Sequence, residues 1–254
     1  MKIEYLGHAS VRLDLDGVGF LTDPAFGARI GPLRRIGPLR RIAVPVREAR
    51  LRDIGVILVS HLHLDHLDLE SLGRIAAGVP VVVPAGAAGW LRAQGRTNVV
   101  ELAPGDSTSV GGVLVRAVHA RHGGTRSPRG PRAPAVGYVL EGSRTIYFAG
   151  DTGLFPAMRE LGEIDVALLP VSGWGPTLPS GTHLDPVRAA HAAAAIGARL
   201  VVPIHWGTYR PVGLHGVLKG DVSRPPRALV RVAAELAPGA TISPIEVGES
   251  LDVP

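Results

Sequence analysis

One heptapeptide limits what this chain can become: Ser60-His61-Leu62-His63-Leu64-Asp65-His66, set directly after the apolar run Val56-Ile57-Leu58-Val59. A short apolar run of this kind reads as a buried strand, so the polar cluster falls where a strand ends and the backbone turns. Side chains alternate along an extended backbone, so His61 and His63 leave it on one side. Asp65 and His66 are adjacent, and the chain must curl to aim both at one place. Imidazole and carboxylate donors together suit zinc, manganese or iron better than calcium or magnesium. Four donors at this spacing are too many for one ion, which points to two metals served from a single loop. The alternative is a solvated His-rich turn with Asp65 as a cap. Donors that recur farther along the chain favour the metal reading.

Composition narrows the setting. The chain has 254 residues, 46% of them hydrophobic, and a mean hydropathy of +0.22. It can bury a large core, and disorder is excluded. No apolar run reaches the roughly 18 residues of a membrane span. Met1 to Leu6 alternates like a strand rather than reading as a signal peptide. There is no cysteine, so disulfides and thiolate metal sites are excluded. With no long linker or charge block, the expectation is one domain over residues 1–254, located in the cytoplasm. The formal charge is +5 and nearly all of the positive charge is arginine, Lys2 and Lys219 being the only lysines. That excess admits an acidic partner such as phosphate, nucleic acid or an anionic bilayer. It equally admits plain compositional bias. No lipidation motif or amphipathic anchor is visible, and the sequence is compatible with a homo-oligomer without fixing one.

In chain order, residues 3–6, 11–15 and 18–22 read as strands, with Asp16-Gly17 as a hairpin turn. His8 and Asp23 fall at ends of the first and third. Arg29-Ile30-Gly31-Pro32-Leu33-Arg34 then recurs letter for letter as Arg35-Ile36-Gly37-Pro38-Leu39-Arg40. Gly-Pro in each copy argues against a helix or central strand, so the segment is expected to be a loop. It carries five arginines through Arg41, either as a surface duplication or as a basic rim drawing in anionic substrate. Helices are expected over 69–77 and 85–94, and strands near 79–83, 99–102 and 113–118. Gly123 to Pro134 reads as a flap or a mobile surface loop. A hairpin of 136–140 with 145–149 leads to Gly150-Asp151-Thr152. Strand 166–169 precedes the loop Val171 to Leu184, which holds Trp174 and His183. Asp185 and Pro186 form a helix start, the helix ends before Gly197 with His191 as a structural residue, and Leu200 to Ile204 leads to His205. A helix over 228–236 and a strand from Thr241 to Val247 close the chain.

The informative pattern is a recurrence. Apolar strands end and donors follow at His61–His66, at His119 and His122, at Asp151, and at His205. Such placement puts polar groups along one edge of the fold, where α/β proteins keep their sites. About seven donors are enough for two ions with positions open to water and substrate.

These motifs resemble the metallo-β-lactamase superfamily: His61-x-His63-x-Asp65-His66, a later histidine, Gly150-Asp151-Thr152 and His205. Leu6-Gly7-His8-Ala9-Ser10, Leu21-Thr22-Asp23-Pro24, Phe148-Ala149-Gly150-Asp151-Thr152-Gly153, His183-Leu184-Asp185-Pro186 and Pro203-Ile204-His205-Trp206-Gly207-Thr208 are similar to one branch of it. That branch contains N-acyl-phosphatidylethanolamine phospholipase D and relatives of L-ascorbate-6-phosphate lactonase. The resemblance implies an αββα sandwich of two mixed β-sheets with helices on the outer faces. It implies two divalent ions, with zinc first and manganese or iron as alternatives. His61, His63 and a later histidine would hold one ion; Asp65, His66 and His205 would hold the other, with Asp151 bridging. The branch pattern Pro-Ala-x-His fits Ala120-Arg121-His122, with His119 in place of the proline, so His122 is preferred to His119. Gly123 stands where the branch often has Trp.

The expected activity is hydrolysis by a metal-bridging hydroxide, of a phosphodiester or another anionic ester. Asp65 would orient the hydroxide, and His183 would stabilise developing charge or protonate the leaving group. Asp23 or His8 would hold a ligand imidazole in its tautomer. The substrate is expected to be a small-molecule or lipid-like anion. A lactonase or amide hydrolase with the same centre is the alternative. A basic nucleic-acid-binding protein or nuclease is a rival of another class.

Overall fold

The computed structural model describes residues 1–35, 46–173, 181–212 and 224–254. The rest of the second arginine copy with Arg41, and Trp174 in the later loop, lie outside the described residues.

Strands β1 (Lys2–Gly7), β2 (Ser10–Leu15) and β3 (Val18–Thr22) form an antiparallel meander. Asp16 and Gly17 join the last two with φ of 51° and 80°, the left-handed pair that a two-residue hairpin turn needs. After β4 (Arg29–Ile30) and β5 (Leu33–Arg35), the chain builds β6 (Val56–Leu58), α1 (Leu69–Gly73), β7 (Val81–Pro84), α2 (Ala88–Ala93) and β8 (Val99–Leu102). The next strands are β9 (Ser107–Val110), β10 (Val113–His119), β11 (Val136–Glu141), β12 (Thr145–Phe148) and β13 (Val166–Pro170). The chain ends with α3 (Pro186–Ala195), β14 (Leu200–Ile204), β15 (Tyr209–Pro211), α4 (Arg224–Leu236), β16 (Thr241–Ile242) and β17 (Ser250–Asp252).

Two seven-stranded mixed sheets result, in the orders β17-β1-β2-β3-β6-β7-β8 and β16-β14-β13-β12-β11-β10-β9. The alternation along β6 explains their packing. Val56 and Leu58 enter a core shared with Val115, Tyr138 and Phe148 of the second sheet. Ile57 and Val59 face the other way, into a core with Leu72 of α1 and Leu91 of α2. A strand buried on both faces has to be apolar throughout, as this one is. On the far side α3 lies against β13, and α4 against β16 and α3. Ala189, Ala190 and Ala193 of α3 are buried there, and their small side chains allow a close approach. Asp185 caps this helix, accepting the Arg188 N–H at 2.8 Å. The layer order is the expected αββα sandwich.

Strand direction positions the site. In the first sheet β1, β3 and β6 run the same way, and in the second β10, β12, β13 and β14 do. The loops leaving these carboxyl ends carry the candidate donors.

Several expectations need correction. The helix expected over 69–77 stops at Gly73, and the Arg96 guanidinium takes the carbonyls of Ile75 and Ala76 at 2.9 and 3.0 Å. The first arginine copy is not a loop: it forms the β4–β5 hairpin, with Gly31 (φ 52°) and Pro32 at its turn. β5 then pairs with β15 in a small third sheet. Gly-Pro breaks strands, but here it occupies the turn. The closing strand expected from Thr241 to Val247 keeps only β16, in the second sheet, and β17 beyond it pairs with β1. Gly123 to Pro134 is not a free flap, because Arg126 donates to the Leu62 and Leu67 carbonyls at 3.2 and 2.8 Å and lies over the Trp90 ring. Among the described residues, no helix is long and apolar enough to cross a membrane.

Candidate metal centre

The first group of donors can be read proton by proton. Ser60 has a single hydroxyl hydrogen, which goes to Asp23 Oδ2 at 2.6 Å. Its oxygen lies 3.0 Å from His61 Nδ1, so His61 must carry its proton on Nδ1, leaving the Nε2 lone pair free. His122 donates from Nδ1 to the Thr182 carbonyl at 3.1 Å, which frees its Nε2 as well. Both lone pairs face His63 Nδ1, from 2.9 Å for His61 and 3.3 Å for His122. Neighbouring donors on a tetrahedral zinc ion, each bound at about 2.0–2.1 Å, stand roughly 3.4 Å apart. Three imidazole nitrogens turned toward one another at this spacing fit a cation between them.

The second group lies beside the first. Asp65, His66, His205 and His8 each present a donor atom within 4.8 Å of the others. His66 Nδ1 donates to Asp23 Oδ2 at 2.7 Å, so its Nε2 is directed inward. Asp151 Oδ2 sits at the middle of the whole array: 3.3 Å from His66 Nε2, 3.4 Å from His205 Nε2, 3.4 Å from His183 Nε2 and 4.0 Å from His122 Nε2. Asp151 Oδ1, His66 Nε2 and His205 Nε2 are buried and make no aligned hydrogen bond among the described residues. Buried polar atoms without partners are rare, and a bound cation would satisfy all three.

Electrostatics agree with the geometry. Burial lowers His61 well below the ordinary imidazole value, lowers His63, and brings His8 and His122 down to about 4. Neutral imidazole is the form that binds metal. Burial opposes charge on Asp65, but the His8 hydrogen bond and the neighbouring His66 hold it well below the usual carboxylate range. Burial likewise opposes charge on Asp151, which His205 and His66 hold well below that range. His66 would be discharged by burial, yet Asp151 and Asp23 flank it and keep its pKa well above the ordinary value. Ionised Asp65 and Asp151 beside imidazoles that burial keeps neutral, His66 apart, are the protonation states a metal site requires.

The structure brings together His8, Asp23, His61, His63, Asp65, His66, His122, Asp151, His183 and His205. His119 is not among them: it ends β10, exposed, with its ring against Phe155. His191 is exposed on α3. Of the two residues expected to hold a ligand imidazole, Asp23 does so, and the His8 ring bonds the Asp65 carboxylate at 3.1 Å. Asp23 holds His66 and also accepts the Ser60 N–H at 2.7 Å. Sequence reasoning missed Ser60, which sets the His61 tautomer, and Thr208, which accepts the His8 N–H at 2.7 Å. Neither serine nor threonine beside a histidine motif gives a periodic signal. Backbone strain collects here too: of five non-glycine residues with positive φ among the described residues, three are His8, Asp23 and His205.

Converging imidazoles and carboxylates at the carboxyl edge of an αββα sandwich define a metallohydrolase of the metallo-β-lactamase type. The beta-lactamase superfamily domain matches residues 19–206, and the chain belongs to that family. It is 34% identical over 229 residues to the N-acyl-phosphatidylethanolamine-hydrolyzing phospholipase D 1 of Caenorhabditis elegans, covering 82% of this chain and 64% of that one. A metal-dependent hydrolase of Koribacter versatilis is 31% identical over 223 residues, covering 82% and 85%. The chain spans about six-tenths of the length of several curated relatives it matches. Among solved structures, a metallo hydrolase from Ignicoccus hospitalis shares the fold with a TM-score of 0.72 at 22% identity, covering 98% of this chain and 97% of that one.

Proposed function

We propose that the protein is a dinuclear metal-dependent hydrolase of a phosphodiester or another anionic ester. One observation carries this reading: two imidazole lone pairs are turned onto a third imidazole nitrogen, beside a buried carboxylate oxygen with no partner among the described residues. On this reading His61, His63 and His122 hold one ion, Asp65, His66 and His205 hold the other, and Asp151 lies between. The donor set suits zinc, with manganese or iron as substitutes. When bound, the ions supply Lewis acidity and bring the pKa of a water toward neutrality. Asp65, ionised and oriented by His8, would accept the hydrogen bond of the attacking water. His183, partly exposed and 3.4 Å from Asp151, would donate to a substrate oxygen or return a proton to the leaving group.

The lipid-directed name of the nematode relative supports a lipid-like anionic substrate. The arginines say less about polyanions than their number suggests. Arg35 and Arg96 are buried, and both, like Arg126, bond backbone carbonyls. Absence of nucleic-acid binding at low salt would remove that rival reading. Elemental analysis of metal-supplemented protein together with a substrate panel tests the proposal. Two ions per chain and turnover of chromogenic phosphodiesters are expected. Turnover of lactones instead would assign a lactonase to the same residues, and protein that retains no metal would refute the reading.

A further inference from the structure

We propose that the Gly7-His8 turn is a positioning element that sets Asp65 and His205, one donor from each sheet, relative to each other. The inference rests on the dinuclear reading above.

The turn is tied on every side. Gly7 and His8 have φ of 111° and 58°, two consecutive left-handed residues at the end of β1. The His8 N–H donates to Thr208 Oγ1 at 2.7 Å, and its carbonyl accepts the His205 N–H at 2.6 Å. The imidazole reaches across to Asp65 Oδ2 at 3.1 Å, and its ring centre lies 3.9 Å from that of His205. A carboxylate only accepts, so His8 Nε2 is the donor in that bond. Beneath the turn, the buried Arg35 guanidinium donates to the carbonyls of Leu6 and Ala25. A Cβ on Gly7 would stand 2.9 Å from both Arg35 Nη2 and Thr208 Oγ1.

Glycine would adopt the left-handed conformation at position 8 without strain. A histidine held there persists because its surroundings over-determine it, and its side-chain contacts say what it is held for. Asp65 leaves the carboxyl end of β6 in the first sheet, and His205 leaves β14 in the second. His8 is bonded to both, through its ring and its carbonyl. Asp23, with φ 34°, has the corresponding place beside His66. The two strained residues divide the work: Asp23 orients an imidazole, and His8 orients a carboxylate.

His8→Asn and His8→Gln separate the side chain from the turn. Asparagine tolerates the left-handed conformation but is too short to reach Asp65, whereas glutamine can present an N–H near the position of Nε2. Both variants and wild type are loaded with cobalt(II) and compared by visible absorption, metal affinity and steady-state kinetics. In H8N the cobalt spectrum should shift, one of two ions should bind about 10–100-fold more weakly, and kcat should fall by a similar factor with KM nearly unchanged. H8Q should recover most of each. An unaltered spectrum and affinity in H8N would overturn the proposal, as would an H8Q protein as impaired as H8N. Wild type that never binds a pair of ions would sink the dinuclear reading itself, a result distinct from normal wild-type loading with an insensitive H8N.

Discussion

Four members of the donor array come from one turn, and the rest come from separate loops of the chain. His61, His63, Asp65 and His66 lie within six residues, so local backbone geometry alone brings them near one another. Within that turn the His66 and Leu67 N–H groups bond back to the His63 carbonyl at 3.1 and 2.9 Å. His122, Asp151, His183 and His205 have no such help. His122, Asp151 and His205 follow β10, β12 and β14, which run in one direction, while His183 lies well past β13, just before the α3 cap Asp185. The turn half is built by sequence proximity and the strand half by sheet topology. Each half therefore fails in its own way.

The largest expected effect breaks the strand half at its centre. Asp151→Asn should remove both ions and lower activity by more than the roughly 10–100-fold that an outer hydrogen-bond partner is worth. His63→Ala, in the turn half, should leave one ion per chain; elemental analysis of the two variants decides. If Asp151→Asn keeps two ions, the central role of that carboxylate is wrong.

Proton linkage comes next, in metal-free protein. His8 and His122 have folded pKa values of about 4 against an ordinary 6.5. The unfolded chain takes up their protons first, so their stabilisation is complete above pH 6.5 and is lost as pH falls toward 4. Each tenfold change in a proton dissociation constant corresponds to about 1.4 kcal/mol, so the loss should reach several kcal/mol. His66, raised, has the opposite sign: its contribution is complete below 6.5 and is lost as pH rises through its elevated value. Thermal unfolding should therefore show maximum stability near neutrality, and a Tm that does not change between pH 7 and 4 would contradict this.

Smaller effects sharpen the contrast. Asp23→Asn weakens the hydrogen bonds to Ser60 and His66, and should cost about 10–100-fold in metal affinity or activity, read by chelator competition. Asp185→Ala removes the cap of α3, far from the turn half, and should lower stability by about 1 kcal/mol. Activity at 25 °C should stay at the wild-type level; a large loss would mean that α3 tunes the site directly.

The same contrast explains what was legible. The turn half could be read from residue spacing, because its donors are contiguous. The strand half became legible only when a donor was seen to follow one apolar strand after another, together with the superfamily resemblance. His119 and His122 both follow β10, and spacing could not separate them. The structure does, because His119 is still within the pleat, paired with Val136, and is turned outward. Ser60 and Asp23 were harder to connect, since 37 positions separate them in sequence and no periodicity joins them. β9 escaped notice because its serines and threonine hide the alternation of an exposed strand. The arginine repeat misled in another way: Arg35, expected on a surface loop as a duplication or a basic rim, is buried at 4% exposure among carbonyls.

Arg126 ties a distant segment to the donor turn. Its guanidinium grips the chain just before and just after the four residues from His63 to His66. Lifting the segment that carries it would drag on the donors themselves. The segment around Arg126 and the donor turn are thus coupled, so a change in one is felt by the other.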